Sequence, residues 1–349
     1  MNEVKEFNIS FMKERKNSLY VCAAGFEDRV IGVLKKLKGI NEKIFEYSLI
    51  LEYSIHKEDN KKNLEDLAVR LPKISHKLIS SVIVDIDNFY KTKYNIMEVF
   101  RKIDQSKIKS VFIDISGMAN SLILLIISQV KKFFWEKEII ILYTEADTYY
   151  PSNEKKDEIL RLIKSEKEED MLKLGDELGA SGAREVMILP DFKGRFDPDK
   201  PICLIFFIGY EPSRAAGLLE SYRPNLVIAC YGKSPHEKFK WRTDFSKELH
   251  QHVLSEFEYF ERYISTFEVS EIVKELEEIY KSTDEHGNLL YEYYNIALTP
   301  QCSKLQTVAS YLFCQKHPDV QIVFCFPGRF NPKRYSQGIG KTWIYSLYT

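Results

Sequence analysis

A short phrase occurs twice in this chain and constrains its fold more than any other feature. Gly25-Phe26-Glu27-Asp28-Arg29 follows the apolar run 19–24, and Gly209-Tyr210-Glu211-Pro212-Ser213-Arg214 follows the apolar run 202–208. In both copies a second glycine comes three residues after the arginine, at Gly32 and Gly217, and an apolar helical pattern continues from there. Each copy reads as strand, glycine turn, acid, arginine, helix, which is the first β-α turn of a Rossmann-like unit. The copies lie 184 residues apart in a chain of 349, so the phrase opens each half.

The rest of the first half alternates apolar runs with helical patterns. The expected strands are 18–24, 46–53, 80–86, 110–115 and 138–144, with helices near 28–38, 58–71, 92–104 and 118–134. Alternation of this kind predicts a parallel sheet covered by helices. The runs 111–115 and 138–143 are apolar with little alternation, as expected of strands buried on both faces. The second half repeats the scheme, with strands at 202–208, 225–231, 263–268, 294–299 and 320–326 and helices near 213–221, 243–260, 270–282 and 303–316. Between the halves, 152–179 is dense in Lys, Glu and Asp with Leu and Ile three to four apart, an amphipathic connecting helix. Glycines and prolines then punctuate a linker with one short apolar run at 186–189, and a tail at 338–347 reads as a loop feeding a last strand. The expected fold class is α/β: two Rossmann-like halves from an internal duplication, each a mostly parallel sheet covered by helices. The expected division is 1–151, a helical linker with a short strand over 152–200, and 201–349.

Bulk properties remove several function classes. Fifty basic residues against 51 acidic ones give a net charge of −1, so there is no bulk attraction to nucleic acid or to an anionic membrane. The six cysteines form no CxxC pair and mostly sit in apolar runs, the pattern of reduced thiols in a cytoplasmic protein. The opening six residues carry no signal-peptide core, and the longest apolar stretch, 122–130, is too short to span a bilayer. No GxxxxGK[ST] or GxGxxG motif occurs, which disfavours a Walker ATPase or a dinucleotide dehydrogenase.

Three constellations are candidates for chemistry. In the doubled phrase, Gly25 and Gly209 allow a sharp turn and close approach of a ligand to the backbone. Arg29 and Arg214 are placed to clamp a phosphate, and Glu27 and Glu211 to bind a ribose hydroxyl; the alternative is that each acid simply pairs with its arginine. The second constellation comes late in each half, as Asp114-Ile115-Ser116-Gly117-Met118-Ala119-Asn120 and as Thr299-Pro300-Gln301-Cys302-Ser303-Lys304. Both put small and hydroxyl residues at a helix start, where exposed amides favour anions. Asp114 interrupts an apolar strand and is either a site residue or a paired structural one. Third, Glu145 and Asp147 end the fifth strand; with Asp114 they offer three carboxylates for Mg²⁺ and phosphodiester hydrolysis, or else form an ordinary polar exit loop. The matching loop in the second half, 328–341, is basic and aromatic around Arg329, a composition suited to phosphate contact and base stacking. The histidines add little: His250 and His252 are two apart, off the i,i+4 spacing of a zinc helix, while His56 and His236 each follow a second strand.

A strand ending in small and hydroxyl residues, followed by a helix with an early Lys304 or Asn120, resembles the fourth-strand motif of CRISPR-associated Rossmann-fold (CARF) sensor domains. Two such units in one chain resemble the SAVED domains of prokaryotic anti-phage signalling systems. The Gly-Gly pair common in those loops is absent, and the Gly-aromatic-Glu phrase is not one assigned to that family. The resemblance implies a pocket for a nucleotide or cyclic oligonucleotide near Ser116, Gly117, Asn120, Thr299, Ser303 and Lys304. It further implies a sensor or accessory component of an antiviral defence system, acting through a protein partner or as a homo-oligomer. The sequence leaves two rivals open: a metal-dependent nuclease or phosphodiesterase using Asp114, Glu145 and Asp147, and a non-catalytic scaffold.

Overall fold

The computed structural model describes residues 4–40, 42–165 and 167–347. The first three residues, which entered the expectation about a leader, lie outside it. The chain divides into two compact units, Met1–Tyr149 with Ser336–Thr349, and Tyr150–Tyr335. Each is an α/β unit built on one mostly parallel sheet.

In the first unit the strand order is Lys5–Glu6, Thr342–Leu347, Glu138–Thr144, Ser110–Asp114, Ser18–Ala24, Phe45–Tyr53, Ser75–Val84. The last five are parallel neighbours, while Thr342–Leu347 and Lys5–Glu6 add antiparallel strands at the other side. All seven residues of Ser18–Ala24 and all five of Ser110–Asp114 are buried, which explains why these runs do not alternate. Each large apolar side chain so buried contributes about 1.5–3 kcal/mol. Helix Asn120–Phe133 is buried without interruption from Ser121 to Val130. It is apolar nearly all round because it is enclosed rather than half-solvated.

The second unit has the order Tyr259–Ser265, Leu226–Lys233, Ile202–Ile208, Asn295–Pro300, Gln321–Phe330, Ala180–Ile188. The first five are parallel and Ala180–Ile188 is antiparallel. Helix Lys304–Lys316 opens with a capping box: Ser303 Oγ accepts from the Gln306 amide at 3.1 Å, and the Gln306 side chain accepts from the Ser303 amide at 3.0 Å.

One topological feature is common to both units. In each, the first three strands of the parallel set run outward in one direction, and the fourth returns to the opposite side of the first. The order therefore reverses between Ser18–Ala24 and Ser110–Asp114, and again between Ile202–Ile208 and Asn295–Pro300. The crevice outside the carboxyl ends of two such strands is where open α/β sheets bind ligands.

Several boundaries differ from the sequence-based expectation. The connecting segment is two helices, Lys156–Ile163 and Glu168–Leu178, because Ser165 interrupts it: its hydroxyl accepts from the Lys167 amide and donates to Asp170. Val186, Met187 and Ile188 of the apolar run at 186–189 close the nine-residue strand Ala180–Ile188. The expected strand at 263–268 lies earlier, at Tyr259–Ser265, and the helix expected to reach 260 stops at Leu254. The tail strand Thr342–Leu347 pairs with Glu138–Thr144 of the first unit, where Thr342 Oγ1 and Thr144 Oγ1 meet at 3.0 Å. Residues 336–349 thus group with the first unit, whereas the sequence division placed them at the end of 201–349. A strand's own pattern says that it is buried and does not say against what.

Candidate ligand site at the sheet edges

At the first unit's reversal point, the glycine turn and the Ser116 loop press together. A Cβ on Gly25 would stand 2.6 Å from the Gly117 carbonyl oxygen, and one on Gly117 would stand 2.5 Å from the Ala23 carbonyl oxygen. Only residues without a Cβ allow this approach. The loop's hydrogen-bonding groups are then taken up from within. Asp114 accepts from Ser116 N at 3.0 Å, Ser116 Oγ at 2.5 Å and Tyr20 Oη at 2.6 Å. Tyr53 Oη accepts from the Ala119 amide at 2.7 Å and donates to the Gly117 carbonyl at 3.3 Å. Asn63 Nδ2 donates to the carbonyls of Gly25 and Glu27 at 2.7 and 3.0 Å. Asn120, at the helix start, is partly exposed.

The acid and arginine of the phrase are paired in both copies. Arg29 Nη2 donates to Glu27 Oε1 at 2.6 Å, and Nη1 reaches the hydroxyls of Tyr143 and Tyr149 at 3.2 and 3.4 Å. Both charges are buried, Arg29 at 5% and Glu27 at 8% exposure. Burial pulls the guanidinium's pKa down, but the Glu27 carboxylate together with Tyr143 and Tyr149 outweighs it and the net shift is upward, so Arg29 stays charged. In the second copy Arg214 Nη1 donates to Glu211 at 3.0 Å and Nε donates to the Cys325 carbonyl at 2.5 Å. Gly209 is again held close, a Cβ there standing 2.9 Å from the Gln301 carbonyl oxygen. Tyr210, the aromatic of the second phrase, lies under Arg242, whose guanidinium carbon is 4.1 Å from the ring centroid and whose Nε donates to Tyr210 Oη at 3.0 Å.

Around the second reversal point, Ser303 is spent on its capping box and on the Thr266 carbonyl, to which it donates at 2.7 Å. Lys304 is the first residue of the helix and is partly exposed. Two groups there have no hydrogen-bond partner: Thr299 Oγ1, on a residue with no exposed surface, and Gln301 Nε2, on a residue 9% exposed.

The three carboxylates weighed for a metal engage different partners. Asp114 serves Tyr20 and Ser116, Glu145 accepts from Trp343 Nε1 at 2.8 Å, and Asp147 accepts from the Ile339 amide at 3.1 Å. Among the described residues no three His, Cys, Asp or Glu side chains are grouped to hold a metal ion. Arg329 ends up exposed on the long strand Gln321–Phe330, which runs on past a register shift at Phe326/Pro327 before the turn Pro332–Arg334. Phe330 and Tyr335 pack on each other with centroids 4.4 Å apart. The six cysteines are thiols outside any disulfide; five are buried and Cys302 is partly so. No helix among the described residues is long and apolar enough to cross a membrane.

Burial pushes the Asp114 carboxyl up to about 6, against the downward pull of its hydrogen bonds from Ser116 and Tyr20 and of the Arg29 charge. A carboxyl whose folded pKa lies above its unfolded value favours folding where it keeps its proton. Its contribution is therefore present in full below about pH 4 and is lost as pH rises to about 6, on the order of 3 kcal/mol across the window. Asp114→Asn keeps an acceptor for Ser116 and removes the titration. Urea unfolding of both proteins between pH 4 and 7 is expected to show the stability difference moving in favour of the Asn variant as pH rises; parallel curves would rule this assignment out.

Sequence reasoning missed Tyr20, Tyr53, Asn63, Tyr143, Tyr149, Arg242 and the Gln301 side chain. Tyr53 and Tyr143 sit at or one residue before the carboxyl end of a strand, and a hydroxyl at that position in an apolar run was the available signal.

No family model matches the chain, and no curated protein matches it. Among solved structures, the chain is similar to a Type III CRISPR defence DNA nuclease activated by cyclic oligoadenylate, with a TM-score of 0.46, 6% identity, and 92% of this chain and 68% of that chain covered. It also aligns with the cytoplasmic domain of a prokaryotic cation chloride cotransporter, with a TM-score of 0.23, 10% identity, and 92% and 98% of the two chains covered. Similarity at this level carries no ligand from those proteins to this one.

Proposed function

We propose that this protein binds a nucleotide or nucleotide-derived ligand through the loops at the carboxyl edges of its sheets, and that it acts as a sensor or accessory component of a prokaryotic defence system. The observation that carries this reading is the strand order. In each unit the reversal point lies between the strand ending in the glycine phrase and the strand ending in the Ser116 or Ser303 loop. Two motifs more than eighty residues apart in sequence thus flank one crevice, where open α/β sheets take their ligands. A helix start and an arginine or lysine beside it suit phosphate. The defence context, the cyclic form of the ligand and the reliance on a partner or a second copy come from the motif resemblance to CARF and SAVED proteins.

The metal-dependent phosphodiesterase is less well supported, since its three carboxylates make separate contacts. A thermal-shift panel of mono-, di- and cyclic nucleotides, with and without Mg²⁺ or Mn²⁺, separates the two. A ligand that binds only the folded protein raises its melting temperature by mass action. The sensor predicts a nucleotide-specific rise without metal and with the nucleotide recovered intact. A rise that requires metal, with the nucleotide consumed, supports the enzyme instead.

A further inference from the structure

We infer that the second unit's crevice, at Thr299 and Gln301, is the one that receives the ligand, and that the group it receives is a phosphate oxygen. This rests on the ligand class proposed above and goes beyond it by separating two sites that the sequence presents as equivalent.

The two crevices have the same topology and different chemistry. In the first, Asp114 answers the Ser116 amide and hydroxyl, Tyr53 answers the Ala119 amide, and Asn63 answers the Gly25 and Glu27 carbonyls. Arg29 Nε does lack a partner there, but the other two nitrogens of that guanidinium are bound to Glu27 and to two tyrosines. The loop is stitched by its own side chains, the arrangement of a copy kept for stability.

In the second, Thr299 lies two residues beyond Ala297 in its strand and so shares its face, and Ala297 belongs to the apolar cluster under helix Pro212–Tyr222. Its hydroxyl is therefore on the face of the sheet that carries the Glu211–Arg214 pair, and Arg214 binds the carbonyl of Cys325 on the strand next to it. Gln301 follows two residues later, against the Gly209 turn. A buried donor left unpaired destabilises the fold, so two at one reversal point are what a stable fold avoids unless they serve a ligand. Gln301 Nε2 is a donor only, and the Thr299 hydroxyl can donate as well. Both then call for an acceptor, and the 13-residue helix beginning at Lys304 favours an anionic one. A phosphate oxygen meets both requirements.

The test uses Thr299→Val and Gln301→Leu, which keep shape and remove the unpaired groups. Each full-length variant is titrated calorimetrically with the nucleotide that shifts the wild type, with the matching nucleoside as the phosphate-free arm. The expected result is that Thr299→Val and Gln301→Leu each weaken binding about ten-fold or more. Their melting temperatures should hold or rise, because an orphaned polar group has been removed. The nucleoside is expected not to bind. If the wild type binds no nucleotide, the proposed function fails. If it binds and the second-unit variants bind equally well, the assignment to the second crevice is overturned. Equal binding of the nucleoside overturns the phosphate. A fall in melting temperature with unchanged affinity makes Thr299 and Gln301 structural.

Discussion

Glu27→Ala is expected to destabilise the first unit by about 3–5 kcal/mol, the cost of leaving a buried cation without its counter-charge. Glu27 accepts not only from Arg29 Nη2 but also from Ser336 Oγ at 2.6 Å, and the Ser336–Gln337 strand pairs with Thr148–Tyr149. Removing the carboxylate thus strands a guanidinium that is 5% exposed and loosens the segment that leads the C-terminal strand back into the first sheet. Burial alone would drive the guanidinium towards neutrality, and arginine does not give up its proton, so the charge stays and the fold bears the penalty. Glu27→Gln keeps an acceptor for both donors and should cost less than the Ala change. Amide hydrogen exchange of Ser18–Ala24 reads the free energy of opening in the strands of this unit. A Glu27→Ala protein within 1 kcal/mol of wild type there would show that the pair is not what holds the turn. The corresponding Glu211→Ala change should cost less, because the Arg214 side chain is 13% exposed against 6% for Arg29.

The second large effect concerns the contact between the two loops of the first unit. Gly117→Ala is expected to cost about 1–3 kcal/mol, and more if the loops cannot part. The new methyl group would meet the Ala23 carbonyl oxygen at 2.5 Å and Val30 Cγ2 at 2.7 Å. Val30 is a side chain and can turn, but Ala23 lies in a strand paired on both sides and cannot recede. The Ser116 loop would have to lift, taking with it the Tyr53 bridge to Ala119 and the Ser116 hydroxyl that accepts from the Thr144 amide at 2.9 Å. Urea unfolding measures the cost. If Gly117→Ala is as stable as wild type, the loops have more freedom than their contact implies.

Much of the fold was legible because buried parallel strands announce themselves. Ser18–Ala24, Ser110–Asp114, Glu138–Thr144 and Ile202–Ile208 are continuous apolar runs, and their bounds matched expectation to within a residue. Tyr259–Ser265 was misplaced because it is an edge strand in which Arg262 and Tyr263 are exposed and Glu261 partly so, and it lacks that signature. The return of Thr342–Leu347 to the first sheet was not legible, since pairing over nearly two hundred residues is decided by which sheet edge is open. At the site, the doubled phrase marked two glycine turns at strand ends, and it left open whether each acid pairs with its arginine. Distance settles that, at 2.6 and 3.0 Å. What the sequence could not separate was the two crevices. Ser116 and Ser303 look alike on paper, and they differ because Asp114 answers one loop from below while Thr299, at the corresponding strand end, has no partner for its hydroxyl.

The most direct test of ligand binding at the sheet edge is hydrogen-exchange mass spectrometry of the wild-type protein with and without each nucleotide of the panel, in metal-free buffer at near-physiological salt. The predicted result is protection, with at least one nucleotide, of peptides covering 209–214 and 299–306, the two loops that flank the second reversal point. Exchange unchanged by every nucleotide, or protection confined to segments remote from both sheet edges, would contradict it.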